Sequence, residues 1–200
     1  MNAKILGIVA VGLMGACGTA MSTTVMSENF DGLTANLAVT SAGTFSTIGG
    51  TNVDVVDPGN GWAFLCVGPE SGNCVDLNGS GGNPQGQLQS NMLLGAGSYL
   101  LSFDLIGSGR CQADSATVTF GNYSQVFTLA SGDVTGGIVF NAPVTVTTPG
   151  YLTYASYTTG NVGLVLDNVT VATAVPESAT LSLLGLGLAG VGFIRRRKSV

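Results

Sequence analysis

Alternation of polar and apolar residues is the feature that most limits how this chain can fold. Along Tyr99–Leu105, aromatic and aliphatic residues alternate with Ser102 and Asp104, which is the period-two pattern of a half-buried strand. Ala116–Phe120 and Tyr151–Tyr157 continue the pattern, and glycine- and proline-rich turns separate the runs. No stretch of residues 25–173 has a helical period. The sequence therefore predicts an all-β domain, and the runs fit a two-sheet jelly-roll sandwich best.

The last apolar run predicts a β-bulge. Apolar residues alternate as far as Leu166 but resume at Val169, one residue out of phase. A bulge at Asp167-Asn168 accounts for this slip and redirects the Asp167 carboxylate. The alternative is an irregular strand end in which Asn168 is bonded to a turn.

The N-terminus is typical of a signal peptide over residues 1–20. Lys4 supplies the positive charge, Ile5–Ala16 the apolar region, and Gly18-Thr19-Ala20 a cleavage site of small residues. Leu13–Cys17 also forms a loose lipobox, so a lipid anchor on Cys17 is the alternative. The β-domain then spans residues 21–174.

Residues 175–200 predict a single transmembrane helix with a basic end. An apolar segment covers Ala179–Ile194, about 24 Å long as a helix. A proline suits the first helical turn, and the positive charges belong on the cytoplasmic side of the membrane. The segment is preceded by the motif Val175, Pro176, Glu177 and Ser178 and followed by the stop-transfer cluster Arg195, Arg196, Arg197 and Lys198.

This tail resembles the PEP-CTERM sorting tail, which consists of Pro-Glu-Pro, an apolar helix and an arginine cluster. Ser178 replaces the second proline of that motif. The resemblance implies an inner-membrane intermediate that an exosortase cleaves. It also implies release to the cell surface or extracellular matrix of a bacterium with an outer membrane and exopolysaccharide. Some ice-binding proteins carry the same tail, so the resemblance concerns destination and not activity.

The mature domain is strongly acidic. Its ten carboxylates face one base, Arg110, which gives a net charge near −9, against −5 for the whole chain. Such a surface repels nucleic acid and attracts divalent cations. We therefore expect no nucleic-acid partner.

The domain has three cysteines, and export permits disulfides. Cys66 and Cys74 flank a glycine-rich loop, so we predict that they pair. A Cys74–Cys111 bridge is the main alternative. Zinc is not expected, because the chain has no histidine.

Four segments resemble galactose-binding-like β-sandwiches: Asn29–Gly32, Gly97–Leu105, Ala116–Phe120 and Leu164–Val171. The resemblance implies a structural calcium between the early strand and the last one, with Glu28 or Asp31 and Asp167 as ligands. A second candidate comes from spacing, because Asp76, Asn78 and Ser80 alternate before a glycine as in half of an EF-hand loop. The alternative is that these side chains make turns or face solvent.

Candidate catalytic and sugar-binding groups are few. Without histidine, neither a Ser-His-Asp nor a Cys-His arrangement can be built, so we expect no enzyme. The one tryptophan, Trp62, is predicted to lie in the core. Tyr151, Tyr154 and Tyr157 do not share one face by strict alternation, so they predict no continuous aromatic platform.

These observations favour an exported, non-catalytic envelope or biofilm-matrix protein that associates with exopolysaccharide. A lectin-like carbohydrate-binding module is the second hypothesis. An ice-binding protein or a glycoside-acting enzyme is the third.

Overall fold

The computed structural model describes residues 22–59, 65–66, 72–81, 85–133, 137–157, 160–174 and 185–187. Residues 22–174 fold into two antiparallel sheets that pack face to face, so the predicted all-β sandwich is confirmed. The jelly-roll connectivity stays a prediction. In the other compact unit, residues 185–187 are helical. Among the residues described, none of the helical structure is long and apolar enough to span a bilayer.

One sheet has seven strands. Its hydrogen-bonded order is β11 (Ile138–Val146), β8 (Gly97–Ile106), β13 (Val165–Thr173), β6 (Cys74–Asp76), β5 (Val53–Val56) and β2 (Asn36–Val39). The seventh strand, β1 (Thr24–Glu28), pairs with the C-terminal half of β13, because the N-terminal half of β13 pairs with β6.

The other sheet has six strands. Its order is β10 (Tyr123–Leu129), β9 (Asp114–Phe120), β12 (Leu152–Ser156), β7 (Gln87–Ser90), β4 (Phe45–Thr47) and β3 (Ser41–Ala42). The three predicted runs at residues 99–105, 116–120 and 151–157 coincide with β8, β9 and β12. The alternation of the sequence therefore located interior strands of both sheets.

Aromatic rings from both sheets form the centre of the core. The Phe103 ring of the seven-stranded sheet meets the Tyr154 ring of the six-stranded sheet edge to face, with 5.4 Å between centroids. Phe45 contacts Tyr154 at 6.0 Å, and Phe140 stacks on Phe103 at 4.8 Å. Such pairs add about 0.5–1.5 kcal/mol each beyond the area they bury.

The predicted bulge in the last strand is confirmed. The register of β13 against β8 shifts between Asp167 and Thr170, and Asn168 has a left-handed backbone with φ 52°. The shift turns Val169 and Val171 to the core side of the sheet, where both belong to the main hydrophobic core.

Candidate functional site

The outer face of the six-stranded sheet is uncharged. Its strands alternate buried residues, which point into the core, with less buried ones, which point outward; Thr117 in the middle of β9 is the one outward position that is itself buried. In the described strands, no outward position carries a charged side chain. We call this surface the neutral face; its residues are Ser41, Ser46, Gln87, Gln89, Ser115, Thr117, Thr119, Ser124, Val126, Thr128, Thr153 and Ala155.

Strand pairing sets these side chains in rows. One row crosses all six strands through Ser124, Thr119, Thr153, Gln89, Ser46 and Ser41, and every member has a hydroxyl or an amide. Neighbouring strands are about 4.8 Å apart, so the row places polar groups at regular intervals across the sheet. At one edge the Ser115 and Thr128 hydroxyls are hydrogen-bonded at 2.7 Å, which orients both groups.

Two exposed tyrosines flank β12, one directly before the strand and one directly after it. Tyr151 is 40% exposed and Tyr157 is 57% exposed, whereas Tyr154 is fully buried in the core. Both positions continue the odd-numbered outward set of Thr153 and Ala155 in β12, about 20 Å apart along the direction of the strand. As predicted, the three tyrosines do not share one face, but the outer two do.

The outer face of the seven-stranded sheet is acidic. Asp54 is directly opposite Asp76 on neighbouring strands, and Asp104 is directly opposite Asp167. We call these four residues the acidic face. All four are buried although they point away from the core, and like charges placed opposite each other across strands are destabilising unless they are compensated.

Arg110 compensates the first pair. Its guanidinium forms an ion pair with Asp76 and donates to the carbonyl of Asn161 at 2.7 Å. Burial raises the pKa of Asp76 to about 7, and the Arg110 charge opposes this rise. Asp54 accepts hydrogen bonds from the amides of Ala38 at 2.7 Å and Ser80 at 2.9 Å, so the backbone solvates its carboxylate.

Asn168 connects the second pair. Its side-chain amide donates to Asp104 at 2.8 Å, and its backbone amide donates to Asp167 at 2.7 Å. Burial raises the pKa of Asp104, and the Asn168 hydrogen bond works in the opposite direction. The bulge thus places the two amides of Asn168 between two carboxylates. From the sequence alone, only the redirection of the Asp167 carboxylate was predicted.

The predicted calcium ligands have separate partners. Glu28 accepts from the amide of Thr44 at 2.7 Å, and Asp31 accepts from the amide of Asn73 at 3.0 Å. Asn78 donates to the carbonyl of Val162 at 3.0 Å. Among the described residues, no group of three or more acidic or thiol side chains is placed to hold a metal ion. Calcium binding at Glu28, Asp31, Asp76, Asn78 or Asp167 therefore stays a prediction.

Cys66 and Cys74, which were predicted to pair, are joined by a disulfide with 5.7 Å between Cα atoms. The thiol of Cys111 is free and exposed. The disulfide belongs to a small second core on the outer side of the seven-stranded sheet, made by Val56, Leu65, Cys66, Cys74, Ile106 and Val165. Val56 and Cys74 of this core are two residues from Asp54 and Asp76 on the same strands, so the core lies on the same side of the sheet as these carboxylates.

Several predicted segments lie outside the described residues. They are the signal peptide at residues 1–20, the motif Val175–Ser178, most of the apolar segment Ala179–Ile194, the basic cluster at residues 195–198, and Trp62. Sequence reasoning did not find the neutral face. The sequence feature that could have indicated this face is the alternation of hydroxyl side chains at Ser115, Thr117 and Thr119.

Comparison with known proteins gives no family for this chain. No protein-family model and no curated protein matches it. Similar solved structures include the K3 adhesin domain of Lys-gingipain from Porphyromonas gingivalis w83. It is 16% identical with a TM-score of 0.45, and the match covers 77% of this chain and 100% of that domain.

Two others come from Clostridium thermocellum. The CBM22-1–GH10 modules of endo-1,4-beta-D-xylanase 10B, complexed with xylohexaose, are 14% identical with a TM-score of 0.47, covering 77% of this chain and 29% of that one. A family 35 carbohydrate binding module is 13% identical with a TM-score of 0.39, covering 75% and 100%. At this level, similarity adds nothing to the fold or the function derived from the strands themselves.

Proposed function

We propose that this protein is an exported, non-catalytic component of the bacterial envelope or extracellular matrix that binds an uncharged polysaccharide on its neutral face. The observation that carries the proposal is the contrast in charge. A domain with a net charge near −9 has one broad sheet surface without a charge, and that surface is lined with hydroxyls and amides.

The chemistry of the neutral face suits sugar hydroxyls. Serine, threonine and glutamine side chains can both donate and accept hydrogen bonds, as sugar hydroxyls do. Tyrosine rings add flat apolar area at a low cost in conformational entropy. Because the rings of Tyr151 and Tyr157 are about 20 Å apart, the face fits an extended chain of several sugar units.

The charge of the domain favours a neutral ligand over an anionic one. A uronate or sulfate polymer would be repelled by the surrounding carboxylates, and binding would strengthen as salt screens the repulsion. A neutral polymer meets no such barrier, and its binding should depend little on salt.

Retention by insoluble and immobilised polysaccharides tests this proposal. The full chain is applied to cellulose, xylan and mannan as neutral polymers and to alginate as an anionic one. We expect retention on at least one neutral polymer, weakened roughly tenfold in Tyr151→Ala/Tyr157→Ala because two ring contacts are lost. Val139→Ala, an exposed position on the other sheet, is the matched control. Retention by alginate alone would contradict the proposal.

The sorting tail supplies the proposed location. Export by residues 1–20, retention by the Ala179–Ile194 helix and cleavage near Pro176-Glu177 would release the domain to the surface. Mass spectrometry of surface protein should find mature C-termini before Ala179. An intact Arg195–Lys198 tail on most surface copies would contradict exosortase processing but not sugar binding.

A further inference from the structure

A concave site lies between elements of the two sheets. It is a groove of about 570 Å³ between β1 of the seven-stranded sheet, the turn before β4 and the segment after β7. This size is within the range of small-molecule sites. We call it the corner groove; the lining residues used below are Val25, Met26, Ser27, Thr44, Asn91 and Met92.

The lining combines apolar and uncharged polar groups. Val25 and Met92 give it aliphatic and thioether surface, Met26 lies beneath them as a buried member of the main core, and Ser27, Thr44 and Asn91 give it hydroxyls and an amide. Met26 and Met92 are the two methionines of the described part of the chain, and both line this groove. Flexible thioether side chains adapt to irregular ligand shapes. Among the described residues, none that lines the groove is charged, although the domain is acidic.

The walls of the groove are fixed by hydrogen bonds beneath them. The Glu28 carboxylate accepts from the amides of Thr44 at 2.7 Å and Phe30 at 3.1 Å. Gly43 has φ 58°, and a Cβ atom there would collide with that carboxylate, so the turn needs glycine. The Asn91 amide donates to the Thr44 carbonyl at 2.8 Å. A preformed site loses less entropy when its ligand binds.

The corner groove is continuous with the neutral face. Ser46, which belongs to the row across the six strands, donates to the Asn91 side chain at 2.7 Å. Asn91 follows Gln89 by two residues, so it extends the outward row of β7 towards the groove. A polysaccharide lying along the neutral face would therefore place its end or a side branch at this corner.

We infer that the corner groove binds one uncharged sugar unit, the end or a branch of the polysaccharide in the proposed function. The apolar side of the sugar ring would contact Met92 and Val25. Its hydroxyls would bond Asn91, Thr44 and Ser27. The inference rests on the proposed function and adds a subsite that selects the terminal or branching sugar.

Methionine methyl groups provide a direct test. The full chain, labelled with ¹³C at the methionine methyls and held in detergent, is titrated with methyl β-glucoside, β-xyloside, β-galactoside and α-mannoside, and with xylohexaose and mannohexaose. We expect saturable shifts of the Met26 and Met92 signals with at least one probe. The signals of Met1, Met14 and Met21 should stay constant. Met26→Leu and Met92→Leu assign the signals.

Two variants examine the polar contacts. Thr44→Val and Asn91→Leu should each weaken the titration about tenfold, the loss of about one hydrogen bond. Val139→Ala, at an exposed position on the other sheet, should leave it unchanged. Shifts that both groove variants leave intact would overturn the inference. So would shifts that appear on raising protein concentration without sugar, since these would place a second copy in the groove.

The retention assay and the methionine titration together distinguish the groove inference from the neutral-face proposal. Retention on a neutral polymer that depends on the tyrosines, without any shift of Met26 or Met92, would overturn the groove alone. Shifts of the two signals in a chain that no neutral polymer retains would overturn the polysaccharide proposal and leave a monosaccharide site. Absence of both would overturn both.

Discussion

The two outer faces of this sandwich differ in charge. The seven-stranded sheet carries four aspartates on its outer side, and each is covered by other chain segments and hydrogen-bonded there. The described strands of the six-stranded sheet carry no charge on their outer side, and their outward hydroxyls are exposed or partly buried, except that of Thr117, which is buried. Buried carboxylates need partners that fix the loops around them, whereas a neutral polar sheet can remain open. The covered acidic face therefore stabilises the fold, and the neutral face leaves a surface available for a ligand.

Removal of Arg110 should produce the largest change in stability. At pH 8, above the Asp76 pKa of about 7, Arg110→Met leaves the buried Asp76 carboxylate without its counter-charge and opposite Asp54, which should lower the free energy of unfolding by about 3–5 kcal/mol. Urea unfolding measures this loss. Arg110→Met/Asp76→Asn should recover part of it, since the uncompensated charge is gone. A loss below 1 kcal/mol would show that the acidic face needs no compensation.

The acidic face also predicts a dependence on pH. Asp76 has its pKa raised from 3.8 to about 7 by burial, so between these values the folded state holds a proton that the unfolded state has released. The free energy of unfolding should therefore fall as pH rises from about 4 to about 7. The raised pKa of Asp104 acts in the same direction. Asp76→Asn should flatten the profile over this interval, and an unchanged profile would contradict the assignment.

Removal of the disulfide tests how much the second core on the outer side of the seven-stranded sheet contributes to stability. Cys66→Ser/Cys74→Ser should lower the free energy of unfolding by about 2–3 kcal/mol, because an eight-residue separation closes a short loop. Cys111→Ser, at the exposed free thiol, is the control and should change stability by less than about 0.5 kcal/mol. Retention on neutral polysaccharide should survive both changes, since the neutral face is on the other sheet. Its loss would contradict the independence of the two faces.

Calcium should have the smallest effect. With a net charge near −9, the domain repels itself, and a divalent ion relieves that repulsion better than sodium at equal ionic strength. We expect the melting temperature to rise by about 2–4 °C, equivalent to about 1 kcal/mol for a domain of this size. Disappearance of the rise in Asp167→Ala would place the ion at the bulge, and its disappearance in Asp76→Ala would place it in the glycine loop that follows Asp76. Identical melting curves in calcium, chelator and sodium would remove calcium from the proposal.

Local patterns predicted the parts of the fold that depend on neighbours along the chain. The alternation of Tyr99–Leu105 located β8, and the phase slip after Leu166 located the bulge. The spacing of Asp76, Asn78 and Ser80 suggested one cation loop but not the partners that their side chains have, which are Arg110, Val162 and Asp54. Those partners are 34, 84 and 26 residues away, and only strand register brings them together. The neutral face was missed for the same reason, because it combines side chains from six strands.

The position of β13 in its sheet decides how the domain would respond to tension. Its last residue, Thr173, donates its amide to the Thr23 carbonyl at 2.8 Å, and the next amide, that of Ala174, donates to Ser98 at 2.8 Å. A pull applied to the chain beyond Ala174 runs along the strand, at right angles to hydrogen bonds on both of its sides. The ladders to β1 and β8 would share that load in shear, so the bonds would have to fail together. A protein tethered by its C-terminus while bound to a polymer would thus be held by a strand built to resist extraction.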